Sequence, residues 1–175
     1  MTLTSSTSRR ALFKSIAQGS AKPLPVARLR PPGALIEASF LDVCERCDDC
    51  ISACPEHVIK RGDGGFPELD FKTGGCTRCT KCIAACESGA LAGEDSVVLG
   101  QWTVNARCLP TNNVTCQSCK DACDAQAISF PYTSSNPTPL IDLNSCTGCG
   151  ECVSVCPVDA IAIKPLATAE RVNQP

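Results

Sequence analysis

The sequence predicts an α+β protein of two small tandem modules behind a mostly irregular basic N-terminal arm. Three observations lead there. All 16 cysteines of the 175-residue chain fall into four closely spaced groups. The groups recur about every 30 residues. The stretches between them carry short β-runs and turn residues rather than long helical patterns.

The first group is Cys44, Cys47, Cys50 and Cys54, followed by Pro55. The last is Cys146, Cys149, Cys152 and Cys156, followed by Pro157. Both read C-x2-C-x2-C-x3-C-P, the ligand run of a bacterial ferredoxin 4Fe–4S site. In the second group, Cys76, Cys79, Cys82 and Cys86 keep the spacing, with Glu87 in place of the proline. The third group, Cys108, Cys116, Cys119 and Cys123, opens with a seven-residue gap and is followed by Asp124. Disulfides fit poorly, because cysteines every three residues along one loop suit thiolates converging on a metal. Zinc sites pair two short C-x2-C arms across a gap, whereas here three ligands lie in one loop and the fourth follows four residues later. The expected cofactors are four 4Fe–4S clusters, the third group being the one where a modified or missing cluster is to be looked for.

The spacers decide which groups pair. After the first comes VIKRGDGGFPELDFKTGGC, two β-runs around a Gly-rich turn; after the third comes AISFPYTSSNPTPLIDLNSC, with a longer turn. Both end in Pro-x-Leu/Ile-Asp before the next cysteine (Pro67, Leu69, Asp70; Pro139, Ile141, Asp142). The spacer after the second group lacks that ending. The predicted boundaries are a basic arm over 1–36, ferredoxin-like modules over 37–100 and 101–165, and a tail over 166–175. Each module should hold a small antiparallel sheet and two short helices, with helix-like stretches around the fourth cysteine of each group. In a two-cluster ferredoxin the fourth cysteine binds the other cluster. Crossing predicts the quartets Cys44/Cys47/Cys50/Cys86, Cys54/Cys76/Cys79/Cys82, Cys108/Cys116/Cys119/Cys156 and Cys123/Cys146/Cys149/Cys152.

The apolar fraction is 43%, but this counts the cysteines, and aromatics are only 4%. So thin a core leaves metal ligation to supply folding free energy, and the metal-free chain is expected to be largely unfolded. Net charge is −2. Residues 1–36 hold Arg9, Arg10, Lys14, Lys22, Arg28 and Arg30 and no acid, which leaves 10 basic and 18 acidic residues in the rest. An acidic body suits either docking on basic partners or simple solubility.

Within the arm, SRRALFKSIAQG reads as a short helix capped by Ser8, with Leu12, Phe13, Ile16 and Ala17 on one face. The same residues match the recognition patch of a twin-arginine export signal. The apolar stretch and cleavage site that a functional signal needs do not follow, so a cytoplasmic location is expected. No run approaches the length of a membrane span. With one aromatic in the arm, nucleic-acid binding is not expected. His57 is expected at the surface or in packing, and Trp102 between the modules. No nucleophile motif or phosphate loop appears, so no catalysis is expected.

SRR near the start, CERCDDCISAC, RGDGGFPELDF, CTRCTKCIAAC and above all CLPTNNVTCQSCKDAC resemble the NapF family of ferredoxin-type proteins, which belongs to periplasmic nitrate reductase systems. The resemblance spans roughly residues 8–163. It implies a cytoplasmic iron–sulfur protein that binds the molybdenum-containing catalytic subunit, NapA, through its arm or acidic body before twin-arginine export. It further implies help in maturing that subunit, by cluster assembly or electron supply. The alternative is an electron-transfer subunit of a molybdenum oxidoreductase complex.

Overall fold

The computed structural model describes residues 28–93, 100–131 and 137–165. The helix expected from Ser8, the basic residues Arg9, Arg10, Lys14 and Lys22, and the tail over 166–175 lie outside them. α1 (Glu37–Val43), α2 (Asp49–Ser52), β1 (Ile59–Arg61), β2 (Pro67–Leu69) and α3 (Lys81–Ala84) come first. β3 (Gly100–Val104), α4 (Ser118–Asp121), β4 (Ile128–Ser129), β5 (Leu140–Ile141), α5 (Glu151–Ser154) and β6 (Ile161–Pro165) follow.

Among the described residues every sheet is a two-stranded antiparallel pair: β1 with β2, β4 with β5, and β3 with β6. Ile59 stands opposite Leu69, and Ile128 opposite Ile141. The Pro-x-Leu/Ile-Asp endings occupy equivalent places. Asp70 donates its backbone N–H to Val58 at 2.8 Å, and Asp142 donates to Ala127 at 2.8 Å. Their carboxylates then accept the N–H of Lys72 (3.1 Å) and Asn144 (3.0 Å), so each starts the turn into the next cysteine loop. The Ser145 hydroxyl, and after it the Asn144 amide, hold the Asp142 carboxyl below its ordinary range.

A lone hairpin of this size is marginal in water, and helices of four residues do not persist alone. Their support comes from two small cores. Phe40, Val58, Ile59, Leu69, Phe71 and Leu91 centre the first, together with Cys50, Cys54 and Cys82. Ile128, Phe130 and Ile161 centre the second, with Cys119 and Cys152. Val153 packs against both cores.

The arm expected over 1–36 loses its last nine residues to the first module. Leu69 donates its N–H to the Leu29 carbonyl at 2.7 Å. Leu35 donates to Ala90 (3.1 Å), and Gly93 to Gly33 (2.8 Å), a short counterpart of the β3–β6 pair. The physical reason is Arg30, whose side chain is 6% exposed. Its Nη2 lies 2.7 Å from Glu37 Oε1, and its Nη1 donates to the Pro67 carbonyl at 3.0 Å. Its guanidinium also stacks 4.8 Å from the Phe40 ring centroid and 5.6 Å from that of Phe66. Arg28 pairs with Asp63 and Glu68. Two of the six basic residues are therefore neutralised by the acidic body.

The helices also differ from expectation. Each of α2, α3, α4 and α5 spans the third cysteine of its group, which it buries, and ends before the fourth. The fourth must turn back toward the other half of its module. Three residues beyond it the backbone is left-handed every time: His57, Gly89, Gln126 and Asp159 have φ of 53°, 76°, 52° and 47°. A helix cannot continue through that conformation.

Removing one partner of the Arg30–Glu37 pair strands a buried charge. Glu37→Ala is expected to cost about 3 kcal/mol, read as a lower urea midpoint for the anaerobic, iron-loaded chain. Asp63→Ala, at an exposed partner of Arg28, is expected to change it little.

Candidate metal centres

Three of the predicted quartets line separate cavities. Cys54, Cys76, Cys79 and Cys82 surround one of about 390 Å³ that is partly open to solvent. Cys123, Cys146, Cys149 and Cys152 surround another of about 320 Å³. Cys108, Cys116, Cys119 and Cys156 surround a third, also of about 320 Å³. Each quartet thus combines three thiols from one loop with the fourth thiol of its partner loop. No such cavity is described for the remaining quartet, but Cys44, Cys47 and Cys86 stand near Cys50: burial first, then the charges of Cys44, Cys47, Cys86 and Cys82, push the Cys50 thiol up to about 12.

The left-handed residues that open these loops repeat. Arg46 and Asp48, Arg78 and Thr80, and Gly148 and Gly150 flank the second cysteine of the first, second and fourth groups, with φ between 54° and 81°. Four of the six are not glycine, and each carries a conformational cost of roughly 1–2 kcal/mol. The third group reaches its quartet differently. Cys108 sits on a separate turn, where Thr111 Oγ1 (2.6 Å) and Asn112 Nδ2 (2.9 Å) donate to its carbonyl. The 3₁₀ turn Pro110–Asn112 and left-handed Asn113 then lead the chain toward Cys116. The wide gap is a loop that still delivers Cys108 to its three partners.

Backbone donors point at sulfur. Arg78 donates its N–H to Cys76 Sγ, and Gly148 to Cys146 Sγ, both at 3.4 Å. Ala127 and Ala160 donate to Cys123 Sγ (3.3 Å) and Cys156 Sγ (3.2 Å). The hydroxyls of Ser88 and Ser118 lie 3.6 Å from Cys86 and Cys116. Such donors favour thiolate over thiol and help to set a cluster's potential.

Burial and crowding oppose ionisation. Burial, then Cys76 and further Cys54 and Cys79, push the Cys82 thiol up to about 11. Burial, then Cys108 and Cys116, do the same to Cys119. Cys152 is raised most, by burial and then by Cys149, Cys146, Cys119 and Cys123. Four thiols crowded around one buried space need cations there before they can all be thiolates. No three His, Cys, Asp or Glu side chains among the described residues converge tightly enough to share one metal ion. Four thiols, three from one loop and one from its partner loop, are the ligand set of a 4Fe–4S cubane, in which each thiolate meets its own iron. The donor set therefore fits 4Fe–4S clusters, whose chemistry is one-electron transfer.

Trp102 lies elsewhere than expected. It sits on β3 opposite Ile163 and lines the Cys123/Cys146/Cys149/Cys152 cavity. Nothing in the spacing announced this role; the cue was that Trp102 stands in a β-run. His57 is exposed, as are Pro55, Glu87, Asp124 and Pro157 after the fourth cysteines. No helix among the described residues is long and apolar enough to cross a membrane.

A family model for the 4Fe–4S dicluster domain matches residues 43–90 and 114–160. The ferredoxin-type protein NapF of Escherichia coli K12 is 37% identical over 140 residues, covering 79% of this chain and 85% of that protein. The chain belongs to the NapF family of ferredoxin-type iron–sulfur proteins. NapF of Haemophilus influenzae is 38% identical over 147 residues, 81% of this chain and 82% of that protein. The ferredoxin-type protein NapG of Escherichia coli K12 is 32% identical over 169 residues, 82% of this chain and 73% of that protein. Like NapF and NapG, the chain is a ferredoxin-type 4Fe–4S protein suited to electron transfer. The second dicluster match starts after Cys108, so the first thiol of the wide-gapped group is beyond the general pattern while its geometry is not.

The raised thiols set a sign for pH. They keep their protons above the ordinary cysteine value of 9.0, so protons compete with iron throughout the neutral range. Loading the metal-free chain with ferrous iron and sulfide should release protons in a pH-stat and weaken steadily from pH 8 to pH 6. Chelating the iron afterwards should collapse the far-UV circular dichroism toward an unfolded chain.

Proposed function

We propose that this chain is a cytoplasmic maturation factor. It binds the catalytic subunit of periplasmic nitrate reductase before twin-arginine export and assists assembly of that subunit's own 4Fe–4S cluster, by cluster assembly or electron supply. The match to NapF over 85% of that protein carries this reading. The four basic residues Arg9, Arg10, Lys14 and Lys22, with no acid among them, support a partner-binding arm, because a simple electron carrier does not need one. In this reading the chain has no catalysis of its own. The match to NapG favours a second reading, an electron-transfer subunit of a molybdenum oxidoreductase complex.

Four clusters are proposed, each held by one crossed quartet. The first is held by Cys44, Cys47, Cys50 and Cys86, and the second by Cys76, Cys79, Cys82 and Cys54. The third is held by Cys108, Cys116, Cys119 and Cys156, and the fourth by Cys146, Cys149, Cys152 and Cys123. The cavities described above support the crossing.

Iron analysis of variants separates crossed from uncrossed ligation. The full chain should hold about 16 irons. Cys47→Ala with Cys86→Ala should lose about 4, because both act on one cluster, and Cys79→Ala with Cys86→Ala about 8. The reverse pattern would sink the crossing.

Capture of the unexported catalytic subunit tests the function. The full chain should retain it, and a chain lacking residues 1–27 should lose most of it. If only the exported enzyme binds, and its turnover needs this chain in stoichiometric amount, the subunit reading replaces the maturation reading.

A further inference from the structure

The two modules meet at their cysteine loops. Cys76 of the second group donates its backbone N–H to the Cys149 carbonyl of the fourth at 2.7 Å. Two buried glycines, each beside one of these cysteines, permit the approach. A Cβ on Gly75 would lie 3.0 Å from the Cα of Glu151 and run into its carboxylate, and a Cβ on Gly150 would enter the Phe71 ring. A side chain at Gly150 would displace the Phe71 ring, and one at Gly75 would have to move Glu151. Val153 and Ile163 of the second module pack on the first module's core and hold the contact from the side.

Electron tunnelling weakens exponentially with distance and is fastest through bonded paths. Cys76 and Cys149 belong to different quartets in different modules, and one hydrogen bond joins their backbones. Within the modules, α2, which carries Cys50, packs against α3, which carries Cys82, and α4, which carries Cys119, packs against α5, which carries Cys152. The quartets thus follow one another in a line: that of Cys44, then that of Cys76, then that of Cys149, then that of Cys108.

We propose that the chain is a single four-centre relay, with the Cys76 N–H to Cys149 carbonyl bond as the hand-off between modules and Gly75 and Gly150 as the residues that bring it within reach. The proposal rests on the ligand assignment given above. With clusters bound, one electron would pass from the centre held by Cys54, Cys76, Cys79 and Cys82 to the oxidised centre held by Cys123, Cys146, Cys149 and Cys152. No bond forms or breaks and no proton moves.

The test is electron paramagnetic resonance of the anaerobic, dithionite-reduced full-length chain carrying Cys47→Ala and Cys116→Ala, which leaves the two inner centres and about 8 irons. A split, fast-relaxing spectrum is expected. Adding Gly75→Val should convert it into the sum of two isolated signals with the iron retained. Isolated signals before Gly75→Val is added, at full iron content, would overturn the relay. Iron of about 4 or less in a folded chain would instead overturn the ligand assignment. If the doubly substituted chain does not fold, the sixteen-cysteine chain is compared with and without Gly75→Val. Loss of part of the spin coupling at equal iron supports the relay, and identical spectra overturn it.

Discussion

Four thiols crowded around each buried space are the constraint on which the rest of this molecule depends. Burial and mutual repulsion hold the third cysteines of the loops as thiols far above their ordinary value, Cys50 up to about 12 and Cys82 and Cys119 up to about 11. Iron would make that crowding favourable by replacing protons with positive charge, which would couple cluster binding to folding. The four-residue helices, the three two-stranded sheets and the left-handed loop residues are all too weak to stand alone. They are arranged to deliver sulfur, and the sulfur–iron bonds hold them in return.

Crossed quartets have a mechanical consequence. The fourth thiol of each loop faces the space bounded by its partner loop, so neither half of a module is complete without the other. A short apolar core then suffices. In the first module it is reinforced by Arg30, buried between Glu37, the Pro67 carbonyl and two aromatic rings. The second has no such clamp among the described residues. It uses the longer β3–β6 pair, with Trp102 and Val104 opposite Ile163 and Ile161. The same task is met once with a desolvated ion pair and once with β-ladder and indole packing.

Much of this was legible along the chain because cluster-binding loops are local. Three thiols of each ordinary group lie within seven residues, so spacing alone describes most of a quartet. The Pro-x-Leu/Ile-Asp endings revealed the equivalent strands, since Asp70 and Asp142 perform the same turn. The helices were placed too late, around the fourth cysteine rather than over the third, because left-handed conformations at His57, Gln126 and Asp159 leave no compositional mark. The nine residues from 28 to 36 read as arm because basic and proline-rich composition resembles a linker. Their burial depends on Glu37, Phe40 and Pro67, which no local pattern links to Arg30.

The sequence by itself determined the donor chemistry, the four-fold repeat and the pairing of groups, since each is written in spacings of a few residues. It also placed the chain in its family, through motifs that are contiguous. Only the tertiary structure decided where the arm ends, that Trp102 lines a cysteine cavity rather than the seam between modules, and that the modules touch at Cys76 and Cys149. These are contacts between segments 37 to 79 residues apart in the chain. They depend on how bare backbone and buried charge meet in space, which spacing along a chain does not encode.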